Sequence, residues 1–416
     1  MKKLILILLI LSTKLFSQKI LIQMDLTQTD HLKAYGLAYW IVKDGSNVDW
    51  LLNYRGGSFL AEYSDKYAAE CRIRGIAFET ISSSMATQIE EEVKADNVNM
   101  DIVKLEKSPK IAVYAPPGAQ PWDDAVRLAL EYAEVEHEII YDEEVLEGKL
   151  KEYDWLHLHH EDFTGQFGKF WRSYRNAPWY IQQVALNEAM AQKMGYSKVS
   201  DLKLAVALKI REYIANGGFV FAMCSAPDSF DVALAAKDVD ICESMFDGDP
   251  MDPNAQSKLD FTQTIAFENF KIEKNPSEYE ISSIDVGPTT INNPSIDYFT
   301  LFEFSAKYDP VPSMLTQNHQ AVVPGFLGQT TGFKSELIKK NIIKLAERDG
   351  TNEVKYLYGN FGRGFFAFYG GHDPEDYRHG VGDPPTELRL HKNSPSYRLI
   401  LNNVLFPAAK KKEQKT

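Results

Sequence analysis

Between residues 111 and 223 apolar runs alternate with amphipathic stretches, and this order leaves the chain few folds to choose from. Ile111–Ala115 reads as a strand, Pro121–Glu134 as a helix with Asp123 and Asp124 in its first turn, and Glu138–Tyr141 as a second strand. Glu143–Lys151 reads as a helix, Asp154–Leu158 as a strand, and Val199–Asn216 as a helix running into the apolar segment Phe219–Met223. Parallel neighbours in a sheet need a long crossover, which a helix supplies. The predicted fold class is therefore α/β: a doubly wound, flavodoxin-like parallel sheet with helices on both faces. Ligands in such folds sit at the carboxyl ends of the strands, where Pro117, His159 and Cys224 all fall.

The most informative turn is Gly217–Phe230, GGFVFAMCSAPDSF. A buried strand stops at Cys224, a turn follows at Ser225-Ala226-Pro227, and a helix starts at Asp228, with Ser229 as the alternative cap. A sharp strand-to-helix turn lifts one side chain above the sheet and needs small neighbours, here Ala222 and Ala226. Raised there, Cys224 is a nucleophile if its surroundings make it a thiolate. The same pattern also fits an inert, buried thiol ending a core strand.

A nucleophilic cysteine needs a base, and the base needs an orienting carboxylate. The stretch Gly362–Tyr377, GRGFFAFYGGHDPEDY, supplies candidates: a strand ends at Gly370-Gly371, followed by His372 with Asp373, Glu375 and Asp376 in reach. A third stretch, His157-Leu158-His159-His160-Glu161, places His157 and His159 on one side of a strand and His160 on the other. His157 and His159 are candidate ligands for Zn²⁺ or another divalent metal. The alternative is strand histidines bonded to backbone.

The remaining chain divides into a small N-terminal α/β unit, 18–107, and the main domain, 108–409, with insertions at 161–200 and 237–330. In the first unit Lys19–Met24, Val48–Tyr54 and Met100–Leu105 read as strands and Asp30–Val42, Ser64–Arg74 and Met85–Lys94 as helices. Ser335–Glu347 and Ser394–Leu405 read as helices, Val354–Tyr358 and Gly364–Tyr369 as strands, and 410–416 as a disordered tail. The first insertion carries Phe163, Phe167, Phe170, Trp171, Tyr174, Trp179 and Tyr180, which suits either a lid or a packed excursion.

Residues 1–17 read as a signal peptide: Lys2 and Lys3 precede the apolar run Leu4–Leu11, and cleavage after Ser17 leaves Gln18 first. Export to a periplasm or the exterior is expected, without a stable membrane anchor, because the run is too short to span a bilayer. A formal net charge of −13 argues against nucleic acid or an anionic membrane surface as the main partner. Three cysteines, Cys71, Cys224 and Cys242, leave at least one thiol outside any intrachain pair, and a Cys224–Cys242 bridge is the structural rival to a reactive Cys224.

Taken together, residues 109–405 resemble the class I glutamine amidotransferase-like superfamily, a parallel sheet with a cysteine elbow and a late strand ending in His-Pro-Glu. Here that motif is His372-Asp373-Pro374-Glu375, one residue longer. Two stretches are similar to the ThuA-like branch. Phe219–Phe230 matches its strand ending in His-Ser-Ala-x-Asp-x-Phe, with Cys224 in place of His. GRGFFAFYGGHDPEDY matches its Gly-Arg-Val-Phe-Tyr-x-x-x-Gly-His segment, placing His372 on the family histidine. The amidotransferase elbow Gly-x-Cys-x-Gly has Ala222 and Ala226 instead, and the oxyanion-hole glycines are replaced by His159-His160-Glu161. An ATP-dependent asparagine synthetase B, a label attached to similar exported sequences, is not expected. The mature chain would start with Gln18 rather than Cys, and it has no Ser-Gly-Gly-x-Asp-Ser loop for ATP.

The residues and the resemblance together imply an exported, amidotransferase-like, cysteine-dependent hydrolase or related enzyme acting on a small polar amide or sugar derivative. Cys224 is the expected nucleophile, His372 the base, and Glu375 or Asp373 its orienter. His159, His160, Glu161, Ser225 and Gly371 are the expected substrate contacts. A ThuA-like carbohydrate-binding or carbohydrate-processing module and a non-catalytic envelope protein are the alternatives.

Overall fold

The computed structural model describes residues 18–118, 120–287 and 293–410; the leader and the tail beyond Lys410 lie outside the described residues. The N-terminal unit is a five-stranded sheet of β1 (Gln18–Ile22), β2 (Val48–Leu52), β3 (Ser58–Glu62), β4 (Glu79–Ser82) and β5 (Asp101–Leu105), in the order β4-β1-β3-β2-β5. All its pairs are antiparallel. β3 and β4 were not expected from sequence. β4 is an exposed edge strand with a polar face, so it lacks the apolar alternation that marks a strand.

The second sheet contains β6 (Ile111–Tyr114), β7 (Glu138–Ile140), β8 (Trp155–Leu158), β9 (Phe219–Met223), β10 (Tyr298–Leu301), β11 (Val322–Pro324), β12 (Phe333–Lys334), β13 (Ile343–Glu347), β14 (Glu353–Phe361) and β15 (Gly364–Tyr369). Its order is β11-β10-β13-β14-β15-β9-β8-β6-β7, with β12 beside β14. The half β7-β6-β8-β9-β15 is parallel. In chain order its strands run 2-1-3-4-5, the flavodoxin-like arrangement. The protein is thus α/β, as expected, with an antiparallel extension that was not.

That extension corrects one reading. Ser335–Glu347 is not a helix: a 3₁₀ turn at Ser335–Leu337 leads to β13, which pairs with β14. Leu337, Ile338, Ile342 and Leu345 fit a helical period, but the open edge of β14 wins by offering a full ladder of backbone partners. Within the 237–330 insertion, β10 and β11 continue the sheet.

The helix His31–Lys43 is buried between the two sheets, against the helices Ala125–Ala133 and Pro395–Leu405. Its Gly36 touches backbone: a Cβ there would lie 1.8 Å from the Ala133 carbonyl oxygen, so the two helices cross only because residue 36 has no side chain. One hydrophobic core runs from Ile20 and Trp50 of the first sheet, through Tyr35 and Leu401, to Phe221 and Tyr369 of the second. Packing is therefore continuous across residue 107.

Candidate functional site

Cys224 follows β9 with φ +55°, a left-handed conformation that non-glycine residues adopt at a cost and that clusters at functional sites. The turn is held by its neighbours. The Cys224 N–H donates to the Gly371 carbonyl at 3.1 Å, and the Ala226 N–H donates to the His159 carbonyl at 3.1 Å. The ends of β8, β9 and β15 are thus tied together at the carboxyl edge. A Cβ on Gly371 would lie 2.4 Å from the Phe326 ring, so this position is closed by packing. The following helix is Ala226–Ala235, starting before Asp228, with Ser225 at the N-cap position and no side-chain capping bond. Asp228 accepts from Ser282 at 2.7 Å, and Ser229 donates to the Glu161 carbonyl at 2.8 Å.

All three cysteines are free thiols, and Cys242 donates to the Thr164 carbonyl at 3.1 Å, so the Cys224–Cys242 bridge is not formed. Cys224 is 2% exposed. Burial pushes its thiol up to about 11, partly offset by backbone N–H groups of Gln329, Ser225 and Thr330 that face the sulphur.

The histidines converge around this turn. The Cys224 sulphur and one ring nitrogen from each of His159 and His160 lie within 4.8 Å of one another. His159 is fully buried, with Nδ1 3.1 Å from Asp124 Oδ1, a close charge contact; neither ring nitrogen has a hydrogen-bond partner. Burial lowers its pKa and Asp124 opposes that shift. A neutral ring with its proton on Nδ1 faces the carboxylate and leaves Nε2 as a free lone pair. Asp124 also caps the helix Ala125–Ala133, accepting from Val126 and Arg127. Burial raises the Asp124 carboxyl, but His157 and His159 outweigh it and hold it well below the usual range.

His157 shares this carboxylate, with Nε2 3.1 Å from Asp124 Oδ1 and Nδ1 3.1 Å from the Phe221 carbonyl. Asp124, His157 and His159 form a second group that could hold a metal ion, as expected for the two histidines. His160 does not alternate away as expected. β8 ends at Leu158, and the His160 ring stacks on His159 at 3.8 Å between centroids. Its Nε2 donates to the Asp123 carbonyl at 2.6 Å.

The late motif is rearranged relative to expectation. His372 lies against His160 and His159, at 4.4 and 5.3 Å between ring centroids, and burial first, then His159 and His379, hold it well below its usual pKa. Its expected orienters point elsewhere. Glu375 meets His391 Nδ1 at 3.1 Å. Asp373 accepts from Thr386 Oγ1, from Tyr397 Oη at 2.9 Å, and from the Glu375 and Asp376 N–H groups. The carboxylate placed nearest a histidine beside Cys224 is that of Asp124, 3.1 Å from His159 Nδ1. Sequence reading missed this role, although it marked Asp124 in the first turn of its helix. It also missed Gln329, Thr330, Asp123 and His379.

A cavity of about 300 Å³ opens at the carboxyl ends of β6 and β8, the point where the strand order reverses. Its lining includes Pro116, Trp122, Asp123, Asp124, His160 and Glu161. Burial pushes Glu161 up to about 7, while its carboxylate accepts the His159 N–H at 2.8 Å. The aromatic insertion walls this side: Trp122 packs on His160, Phe170 and Trp179 at 5.4, 5.4 and 5.2 Å. Ser225 Oγ is buried without a hydrogen-bond partner beneath the elbow.

No family model and no curated protein matches the chain. Among solved structures it is similar to a cytoplasmic protein of Salmonella typhimurium, at 10% identity and TM-score 0.36 over 73% of this chain and 100% of that one. A second, from Salmonella typhimurium LT2 and also titled a cytoplasmic protein, has 13% identity and TM-score 0.35 over 72% and 100%. Among the described residues no helix is long and apolar enough to cross a membrane.

Proposed function

We propose that this is an exported hydrolase or related enzyme of the amidotransferase-like class, acting on a small polar amide or sugar derivative bound in the cavity beside His160, whose ring lies between that cavity and the buried Cys224 and His159. The observation that carries the reading is the juxtaposition of a left-handed Cys224, one His159 ring nitrogen within 4.8 Å of its sulphur, and Asp124 Oδ1 3.1 Å from Nδ1 of the same imidazole. Cys224 is the nucleophile, His159 the base and Asp124 the orienter. This replaces His372 and Glu375 in the roles expected from sequence. A His159 ring nitrogen takes the thiol proton as sulphur adds to the substrate carbonyl, and gives it to the leaving group as the carbon–nitrogen or carbon–oxygen bond breaks; water, deprotonated by the same ring, then displaces the sulphur, which recovers its proton. Burial pushes the thiol up to about 11 and lowers His159, so the surroundings do not make Cys224 a thiolate at rest, and this reading requires the proton to move during attack. Trp122 and Phe167 line the cavity, and Phe170 and Trp179 pack behind Trp122, which gives an aromatic wall suited to a sugar ring.

The test is acylation by an activated ester, p-nitrophenyl acetate, with the adduct located by mass spectrometry. An adduct on Cys224 that is lost in His159→Asn is the expected result. An adduct formed equally in His159→Asn, or found only on other residues, removes the nucleophile reading. One observation favours a second reading: His159 Nε2 is buried and unpartnered beside His160 and Cys224, a donor set suited to Zn²⁺. Stoichiometric zinc in the purified chain, lost in Cys224→Ser, selects it.

A further inference from the structure

Beyond His372 the chain builds another convergence that neither reading of Cys224 uses. The His379 side chain is fully buried, and neither ring nitrogen has a hydrogen-bond partner. Its Nε2 lies 3.8 Å from Asp123 Oδ2, and its Nδ1 lies 3.9 Å from Asp373 Oδ2 and 3.2 Å from Asp376 Oδ2. One nitrogen of His379 and one oxygen from each of Asp123 and Asp373 fall within 4.8 Å of one another. The Asp373 side chain is fully buried and that of Asp123 is 11% exposed. Buried imidazole nitrogens are normally hydrogen-bonded, and leaving them bare costs free energy. Two buried carboxylates also need a compensating charge. Among the described residues no lysine or arginine forms an ion pair with either one.

We propose that Asp123, Asp373 and His379 bind a divalent first-row metal ion at the wall of the cavity. The carboxylates are already aimed and retain capacity. Thr386 donates its N–H to Asp123 Oδ2 at 2.9 Å and its hydroxyl to Asp373 Oδ2, so each oxygen keeps a lone pair for the ion. Tyr397 fixes the other oxygen of Asp373 at 2.9 Å. Such outer donors orient metal ligands and are part of a working site. Two carboxylate oxygens and one imidazole nitrogen suit Mn²⁺, Fe²⁺ or Zn²⁺, and the set contains no thiolate to select a softer ion. Asp123 also lines the cavity, which puts the site next to the space a substrate would enter, while Asp373 and His379 lie behind it. The proposal does not depend on what Cys224 does.

Mn²⁺ tests it, because its preference for oxygen ligands separates this site from the one containing Cys224. The full-length mature protein, treated with chelator and shown to remain folded by circular dichroism, is titrated with Mn²⁺ and followed by electron paramagnetic resonance. One bound equivalent with nitrogen coupling is expected in wild type and in Cys224→Ser. At least tenfold weaker binding is expected in His379→Gln and in Asp123→Asn. Mn²⁺ binding in His379→Gln equal to wild type overturns the proposal, as does binding lost in Cys224→Ser. If either variant fails to fold, the wild-type signal decides: no bound Mn²⁺, or bound Mn²⁺ without nitrogen coupling, overturns it.

Discussion

Asp231→Ala is the sharpest test of how the elbow is held. Asp231 is fully buried in the helix after Cys224 and accepts three backbone N–H groups, from Ile265 at 2.9 Å and from Ala266 and Phe267 at 2.8 Å. It pins the 237–330 segment to the elbow helix. Each buried donor stripped of its acceptor costs about 1–3 kcal/mol, so the three together cost roughly 6 kcal/mol. Part of this is returned. Burial, opposed by these N–H groups, pushes the carboxyl from 3.8 up to about 6. At about 1.4 kcal/mol per pH unit, removing the carboxylate relieves about 3 kcal/mol at neutral pH. The net loss is roughly 3 kcal/mol near pH 7.5. Because the folded pKa is raised, the stability Asp231 contributes is fully present below the unfolded value and is lost as pH rises through about 6. The variant's deficit should therefore be larger at pH 5 than at pH 7.5, by about 1 kcal/mol. Urea denaturation at the two pH values measures both quantities, and hydrogen exchange at residues 265–267 should accelerate in step. A deficit below about 1 kcal/mol at pH 7.5, or one that shrinks on acidification, refutes the argument.

Three further outcomes are expected. Lys203 is buried against Asp142 at 2.9 Å and the Tyr141 hydroxyl at 2.9 Å, so Lys203→Ala should destabilise by about 3–5 kcal/mol in thermal unfolding, and adding Asp142→Asn should recover part of the loss. Burial, then Arg398, lowers His31 to about 4 from 6.5, so the unfolded chain binds the extra proton in that window and stability should fall as pH drops from 6.5 towards 4, by about 3 kcal/mol for this group; the slope should flatten in His31→Gln. Glu161 titrates near 7 on the cavity wall, so any ligand binding there with a midpoint near pH 7 should lose that midpoint in Glu161→Gln, and a midpoint that persists assigns it to another group.

Much of the fold was legible because its parallel strands are buried on both faces. IAVY, WLHL and FVFAM read as continuous apolar runs, and the helices between them carry one apolar stripe. β13 was not legible, because its spacing satisfies two periods and only its partner β14 decides between them. The elbow was legible from small residues around Cys224. Its base and orienter were not. His372 has carboxylates beside it in sequence, but the turn at Pro374 sends Glu375 to His391, while Asp124 reaches His159 from a separate helix. His379 sits in a stretch without regular structure, where no period indicates which way a side chain points.

The wedged helix His31–Lys43 has a consequence for how the chain is made. Its outer neighbours include Pro395–Leu405, and the edge strand β5 is joined by the chain's far end, where the Glu106 N–H donates to the Ala408 carbonyl at 3.0 Å and the Lys410 N–H to the Lys104 carbonyl at 2.8 Å. Arg398 reaches back to the Met24 carbonyl at 2.8 Å. Segments near residue 24 and residue 105 are therefore sealed by segments some 300 residues or more later in the chain. Such long-range closure slows folding and leaves the early sheet with an open face until the end. A fragment ending before residue 395 should accumulate as an aggregation-prone intermediate, with its apolar helix uncovered on one side.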